Sequence, residues 1–122
     1  MFNAYKERIN QIDARAVALV AVGNQRFNWI ADQNLNGSPS AGVGFSRGEG
    51  FAYISYADIS GDIDELAQSV AEQWLGFPIG SEQDVERHRV WYTTLIQMNQ
   101  LEVDKQVAQI ARWQHRLAEL TD

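Results

Sequence analysis

Residues 82–120, EQDVERHRVWYTTLIQMNQLEVDKQVAQIARWQHRLAEL, contain the clearest periodic pattern of this chain. It lies in a C-terminal region, residues 81–122, that contains neither Gly nor Pro. Aliphatic residues recur there every seven positions, at Ile96, Val103, Ile110 and Leu117. A seven-residue aliphatic repeat is typical of a helix that packs along one line against another helix. The sequence therefore predicts a long C-terminal helix with an apolar line along it.

A second row of side chains lies three or four residues from the first, at Tyr92, Asn99, Gln106 and Trp113. The two rows have the a and d spacing of a helix-packing seam with two polar residues in it, and Asn99 is the type of residue that sets register and oligomer number. The predicted oligomer interface consists of Ile96, Asn99, Val103, Ile110, Trp113 and Leu117.

The length of the predicted helix limits how it can pack. At 1.5 Å per residue, a helix over 82–120 is roughly 58 Å long, whereas a compact domain of this chain length has a radius of gyration of about 14 Å. The helix therefore either breaks into a hairpin or packs against another copy of the chain. We expect a homo-oligomer, at least a dimer, and the sequence leaves open whether the helix is continuous.

The N-terminal part is harder to assign. Phe2, Tyr5, Ile9 and Ile12 have helical spacing, which predicts a short helix. Residues 17–22 and 27–31 alternate around Gly23-Asn24, which favours a β-hairpin. A continuous helix from Phe2 to about Leu35 is the alternative, and residues 34–40, NLNGSPS, are expected to form a loop.

The middle of the chain contains the clearest hairpin, because Val43 and Phe45, and then residues 51–55, alternate around the turn residues 47–50. After it, Asp62 and Glu65 have capping-box spacing, and Gly76 with Pro78 ends the following helix. We therefore predict an α+β fold: a small antiparallel four-stranded sheet in the N-terminal half and long paired helices in the C-terminal half. One domain is expected over 1–122, with a short helix and β-hairpins in 1–57 and a helical region in 62–122.

Composition excludes several classes of protein. The 122 residues include no Cys, so disulfides and thiolate metal sites are ruled out. No apolar run reaches the roughly 20 residues of a membrane span, and we expect a cytoplasmic protein. No Walker loop, GxGxxG, HExxH or GxSxG motif occurs. The sequence therefore predicts neither an enzyme nor a cofactor or metal site.

Acidic residues are concentrated in one segment, residues 58–86, which contains eight acids and no Lys, Arg or His. The net charge of −6 disfavours direct nucleic-acid binding. One interpretation is that these acids lie on solvated helix faces and at helix starts. The other is that they form a surface that binds a basic protein partner.

Basic residues gather instead in the C-terminal region. Arg112, His115 and Arg116 share one face of the predicted helix, and Arg87 and Arg89 flank His88. Two guanidinium groups one turn apart suit a phosphate or carboxylate. The alternative is a salt-bridged surface in which these arginines pair with Glu119 or another acid.

This layout, with Arg112 and Arg116 near the end of the long helix, resembles phage Thoeris anti-defence proteins that sequester a cyclic ADP-ribose-type signal. The resemblance implies a non-catalytic oligomer that traps a nucleotide-type ligand between subunits. It implies that Arg112 and Arg116 hold phosphates and that Phe77 or Trp91 stacks on the base. The alternative function is an acidic phage or mobile-element inhibitor, anti-CRISPR-like or a nucleic-acid mimic, acting on a basic protein surface.

Overall fold

The computed structural model describes residues 1–22 and 32–121. A 3-10 turn at Asn3–Tyr5 leads into helix α1, and three strands and two further helices follow. The elements are α1 (Lys6–Val20), β1 (Gln33–Gly37), β2 (Gly42–Arg47), β3 (Gly50–Ser55), α2 (Ile63–Leu75) and α3 (Glu82–Thr121). The mixed α+β class is confirmed, but the sheet of the described residues has three strands and not four.

The sheet is an antiparallel meander in the order β1-β2-β3. Its register aligns Leu35 with Phe45 and Phe45 with Ala52, so these three side chains share one face. A two-residue turn joins β2 to β3, and Gly48 has the positive φ of 54° that glycine accommodates without a steric cost. The predicted central hairpin is therefore confirmed.

The core lies between one face of this sheet and two helices. Helix α1 contributes Ile9, Ile12, Ala16 and Val20, all fully buried at helical spacing. Helix α2 contributes Ala67, Val70, Ala71 and Trp74, and the strands contribute Val43, Phe45, Ala52 and Ile54. Both helices are amphipathic, and their apolar sides contribute to this common core.

The predicted N-terminal hairpin is wrong in its first strand, because Val17 to Val20 belong to α1. Ala16 and Val20 continue the buried row begun by Ile9 and Ile12. Their burial outweighs the preference of Val for strands, which is worth less than about 1 kcal/mol per residue. The continuous-helix alternative is also wrong, since the chain becomes extended at Ala21. The rest of that hairpin, residues 23–31, lies outside the described residues.

Strand β1, QNLNG, differs from the loop that the sequence predicts over residues 34–40. It pairs with β2 along its whole length, from Gln33 opposite Arg47 to Gly37 opposite Val43. Only Leu35 turns inward to pack against the core. Backbone pairing with β2 therefore outweighs the low strand propensity of Asn and Gly.

The helix boundaries follow the predicted caps. The Asp62 carboxylate accepts a hydrogen bond of 3.0 Å from the Glu65 backbone N–H, and Gly76 ends α2 with φ 80°. The Ser81 hydroxyl accepts one of 3.3 Å from the Asp84 N–H at the start of α3. Helix α3 is continuous for 40 residues, or about 60 Å, which answers the question that the sequence left open.

The chain divides into two units, Met1–Val85 and Glu86–Asp122. The first contains the sheet, α1 and α2, and the second is α3 from Glu86 onward. Among residues 1–22 and 32–121, no helix combines the length and apolar character needed to cross a membrane.

Candidate functional site

The main feature of the second unit is the exposed apolar line of α3. Side-chain accessibility is 69% for Ile96, 50% for Val103 and 62% for Leu117, and Ile110 is similarly exposed. The four residues lie along one side of a single helix because they repeat every seven positions. Such a line of large, accessible aliphatic side chains marks an interaction surface.

The second row of the seam lies beside this line. Trp113 is 63% exposed, and Tyr92 and Leu120 are exposed as well. The Asn99 side-chain amide donates a hydrogen bond of 2.8 Å to the Leu95 carbonyl of its own helix. One polar group of the seam therefore already has a partner before anything packs against it.

The basic cluster of Arg112, His115 and Arg116 lies in the last three turns of α3. The Arg112 guanidinium donates to the Gln109 side-chain carbonyl. The Glu119 carboxylate lies 3.1 Å from His115 Nε2 and 3.0 Å from Arg116 Nη1. One acid is thus shared by two of the three basic side chains, and all three remain on an accessible surface.

This cluster combines elements of both interpretations made from the sequence. The Arg116–Glu119 and His115–Glu119 contacts are the salt-bridged surface, and exposed pairs of this kind contribute about 0–1 kcal/mol. Because Glu119 offsets one of the two arginine charges, the cluster retains a net positive charge. It can therefore still attract an anion, but with about one unit of charge per chain.

The other predicted ligand residues of α3 lie far from this cluster. Arg89 makes a 2.5 Å ion pair with Glu86, and Arg87 and Trp91 are half-buried. Arg87 and Arg112 are 25 positions apart in one continuous helix, so they are separated by about 38 Å. Within one chain, the helix cannot bring Arg87 or Arg89 to an anion held by Arg112.

Phe77 belongs to the first unit. It follows α2 and helps to line a shallow groove of about 680 Å³ together with Glu65 and Glu72. The Glu72 carboxylate also accepts a 2.7 Å hydrogen bond from the Ile79 backbone N–H. Two carboxylates beside Phe77 make this groove a poor environment for the phosphate of a nucleotide.

Most carboxylates of the acidic segment, residues 58–86, already accept a hydrogen bond or form an ion pair within the chain. Asp62 caps α2, and Asp64 forms an ion pair with Arg15 at 2.5 Å. The buried Asp84 carboxylate accepts a hydrogen bond of 2.8 Å from the Gly80 N–H. Asp58 accepts from the Ser55 hydroxyl at 2.9 Å, and Glu86 pairs with Arg89. Most of these acids therefore have a structural role, as the helix-start interpretation expects.

A buried ion pair in the first unit was missed from the sequence. The Asp13 carboxylate accepts from Arg47 Nε at 3.1 Å, from Arg47 Nη2, and from the Gln33 amide at 2.8 Å. Asp13 is 3% exposed, and the Arg47 guanidinium lies 6.0 Å from the Trp74 ring centroid. The available signal was an acid on the apolar face of α1, between Ile12 and Ala16.

The outer face of the sheet carries two aromatic side chains, Phe51 and Tyr53, both exposed. They lie against β2, where a Cβ at Gly44 would come within 3.2 Å of Phe51 and one at Gly42 within 2.7 Å of the Tyr53 hydroxyl. The two glycines therefore leave room for the rings. The sequence indicated this apolar outer face through the alternation of β3.

Two further observations concern metal binding and similarity to known proteins. In residues 1–22 and 32–121, no three His, Asp or Glu side chains are grouped so that they could hold a metal ion. Comparison with known protein families, with curated proteins and with solved structures finds no match to this chain.

Proposed function

We propose that this chain is a non-catalytic binding protein that works as a homo-oligomer, with α3 as its association element. The observation that carries the proposal is the exposed seam of Ile96, Val103, Ile110 and Leu117. A second copy offers the same seam and buries both at once, as self-complementary interfaces do.

The energetics favour association over a solitary helix. Most helical stability in proteins comes from packing an apolar face, not from intrinsic propensity. In the unit Glu86–Asp122, every aliphatic seam residue is exposed, so that packing has to come from outside this unit or from another chain. Burying a Leu, Ile or Val side chain contributes roughly 1.5–3 kcal/mol, which makes the seam the strongest candidate for the missing contact.

The ligand that we propose is an anion of nucleotide type, bound at the basic cluster of Arg112, His115 and Arg116. Supporting this choice are two accessible guanidinium groups one turn apart and a local excess of positive charge in an acidic protein. Association strengthens the attraction where clusters of different copies contribute to one ligand. This extends the resemblance to phage Thoeris anti-defence proteins, with sequestration of a cyclic ADP-ribose-like signal in the cytoplasm as the proposed activity.

The alternative, an acidic inhibitor of a basic protein surface, has less support. Asp62, Asp64 and Asp84 are engaged in a cap, an ion pair and a buried hydrogen bond. The Asp84 carboxylate is buried and the Asp62 carboxylate bonds to its own helix, so these two are less available to a partner. We therefore favour the ligand-binding oligomer.

Association is tested by measuring the molar mass of the full chain in solution by light scattering or sedimentation equilibrium. Wild type should give at least twice the 13.8 kDa chain mass. Ile110→Asp places a charge in the seam and should give the monomer. Ala108→Asp, on the opposite side of the same helix, is the matched control and should remain oligomeric.

Circular dichroism of Ile110→Asp separates loss of association from loss of folding, because the unit Met1–Val85 contains its own core. A wild-type chain that stays monomeric across the micromolar range contradicts the proposal. An Ile110→Asp variant that associates as wild type does contradicts the assignment of the seam.

Ligand binding is tested by calorimetric titration with cyclic ADP-ribose and with inorganic phosphate. Wild type should bind the nucleotide, and Arg112→Ala should weaken binding by about tenfold or more, since a charge-assisted hydrogen bond contributes roughly 1.5–3 kcal/mol. Lys105→Ala removes a positive charge about two turns before Arg112 in α3 and is the control. Undiminished binding by Arg112→Ala would refute the assignment of the cluster.

A further inference from the structure

We infer that α3 pairs with α3 of a second copy in the antiparallel direction, in the register that places Glu102 beside Arg116 of the partner subunit. The inference rests on the proposed self-association and specifies its direction and register. It follows from which side chains lie along the seam and which lie beside it.

In the core of the seam, an antiparallel arrangement places Trp113 opposite a smaller side chain, which a parallel arrangement does not. In an antiparallel pair, each residue of the aliphatic row faces a residue of the second row. With the two-fold axis near Ala108, Val103 faces the Trp113 position and Ile96 faces the Leu120 position, while Ile110 faces Gln106 and Leu117 faces Asn99. The bulky Trp113 side chain therefore meets the small Val103. In a parallel pair, Trp113 would instead face Trp113 of the other copy, and Gln106 would face Gln106 of the other copy.

The residues beside the seam select this register. Glu102, Gln109 and Arg116 occupy the same heptad position, seven residues apart. In an antiparallel pair, this heptad position of one helix faces the same heptad position of the other helix. The sequence numbers of two facing residues therefore add up to a constant, and the register sets its value. The register centred near Ala108 matches Gln109 with Gln109 and Glu102 with Arg116, which forms two ion pairs per dimer.

The opposite side of the seam is consistent with the same register. There Val107 faces Val107 and Gln100 faces the Gln114 position, so apolar meets apolar and amide meets amide. A parallel pair would set Glu102 against Val107 and would leave Arg116 facing Thr121. The antiparallel register is therefore the one in which Glu102 and Arg116 face an opposite charge in the other copy.

The surface available is adequate for association. Six large apolar side chains per helix line the paired segment, and each is about half to two-thirds exposed in the single chain: Ile96, Val103, Ile110, Trp113, Leu117 and Leu120. Burying a large apolar side chain removes roughly 60–120 Å² of apolar area from water, so the twelve side chains of two copies represent on the order of 1,000 Å². Polar flanking side chains add to this, which approaches the roughly 1,200 Å² of small specific interfaces.

The arrangement also refines the proposed ligand site. Arg116 lies beside the seam, where it reaches the carboxylate of Glu102 in the partner copy. Arg112 and His115 occupy outer positions of the helix and remain accessible to an anion. Arg116 is therefore a register residue, and Arg112 with His115 is the part of the cluster available to a ligand.

Direction is tested by spin labels on introduced cysteines, since the chain has none of its own. A label at Ala118→Cys lies ten positions from the two-fold axis. Antiparallel pairing therefore separates the two labels by about 30 Å along the helix axes. Parallel pairing would leave them about 20 Å apart or less, given interhelical spacings of 8–10 Å. Ala108→Cys, level with the axis, is the control and should give about the same distance for either direction.

Register is tested by charge exchange. Glu102→Arg should weaken the dimer by about tenfold, because both ion pairs become repulsive, and Arg116→Glu should weaken it similarly. The double variant Glu102→Arg/Arg116→Glu restores both pairs and should associate within about threefold of wild type. Lys105→Glu is the control, because it lies outside the flanking positions.

The outcomes separate the two proposals. A wild-type monomer contradicts self-association itself. A dimer with a short Ala118→Cys distance contradicts the antiparallel direction while leaving self-association intact. A double variant as weak as the single variants contradicts the register.

Discussion

Removal of the Asp13 carboxylate should strongly destabilise the unit Met1–Val85. In the folded chain this carboxylate is 4% exposed as a side chain, and its Arg47 partner is 13% exposed. It accepts two hydrogen bonds from Arg47 and one of 2.8 Å from the Gln33 amide. Asp13→Ala leaves a buried guanidinium without this carboxylate.

The magnitude follows from burial. Breaking a buried ion pair by removing one partner typically costs about 3–5 kcal/mol, because the remaining charge keeps its desolvation penalty and loses its partner. A unit of this size shifts its melting temperature by roughly 4–8 °C per kcal/mol, so the expected drop is at least about 12 °C. By contrast, the exposed Arg15–Asp64 pair should contribute about 0–1 kcal/mol.

Thermal and urea unfolding, followed by circular dichroism and by Trp fluorescence, measure the effect. Asp64→Ala is the matched control, because it also removes an aspartate paired with an arginine. Asp13→Leu/Arg47→Met removes both charges and should be more stable than Asp13→Ala, since no charge remains at this buried position. Asp13→Asn provides a milder variant if Asp13→Ala does not fold.

Two results would contradict the stabilising role of the Asp13–Arg47 ion pair. One is an Asp13→Ala variant that loses less than about 1 kcal/mol, no more than an exposed pair loses. The other is a double variant as unstable as the sum of its single changes, because the two effects would then be independent.

Two further changes probe α2. Trp74→Phe removes the indole N–H, which donates a hydrogen bond of 2.8 Å to the Phe45 carbonyl in the core. Urea unfolding should show that the free energy of unfolding falls by about 1–3 kcal/mol. A fall below about 0.5 kcal/mol would contradict a buried hydrogen bond. Gly76→Ala places a side chain at φ 80° with no contact within 4 Å, so backbone strain alone should lower stability by about 1–2 kcal/mol in thermal unfolding. Unchanged stability would mean that α2 does not end in the left-handed conformation.

The parts of the fold that the sequence predicted correctly are those with strong local signals. The hairpin around Gly48 combines strict alternation with turn residues, and the ends of α2 carry Asp62 and Gly76 at the expected positions. Each of these signals acts within a few residues, so no distant contact is needed to read it.

The errors arose where a distant contact decides the structure. Residues 17–20 look like a strand, but burial of Val20 beside the core fixes them as helix. Asn34 and Asn36 look like a loop, but pairing with β2 makes them a strand. Local propensity is weak compared with tertiary packing in both cases.

The candidate site shows the same division. The period of seven between Ile96 and Leu117 predicted a seam, and those residues are exposed along α3. The Asp13–Arg47 pair joins residues 34 positions apart, and no spacing rule links an acid on a helix to an arginine on a strand. What a sequence reveals about a site therefore depends on whether its residues share one element.

Self-association of α3 underlies both proposals, and the molar mass of the wild-type chain across the micromolar range measures it. We expect a mass of at least twice 13.8 kDa, falling to the single-chain value in Ile110→Asp and unchanged in Ala108→Asp. A wild-type mass of 13.8 kDa at every concentration would contradict it.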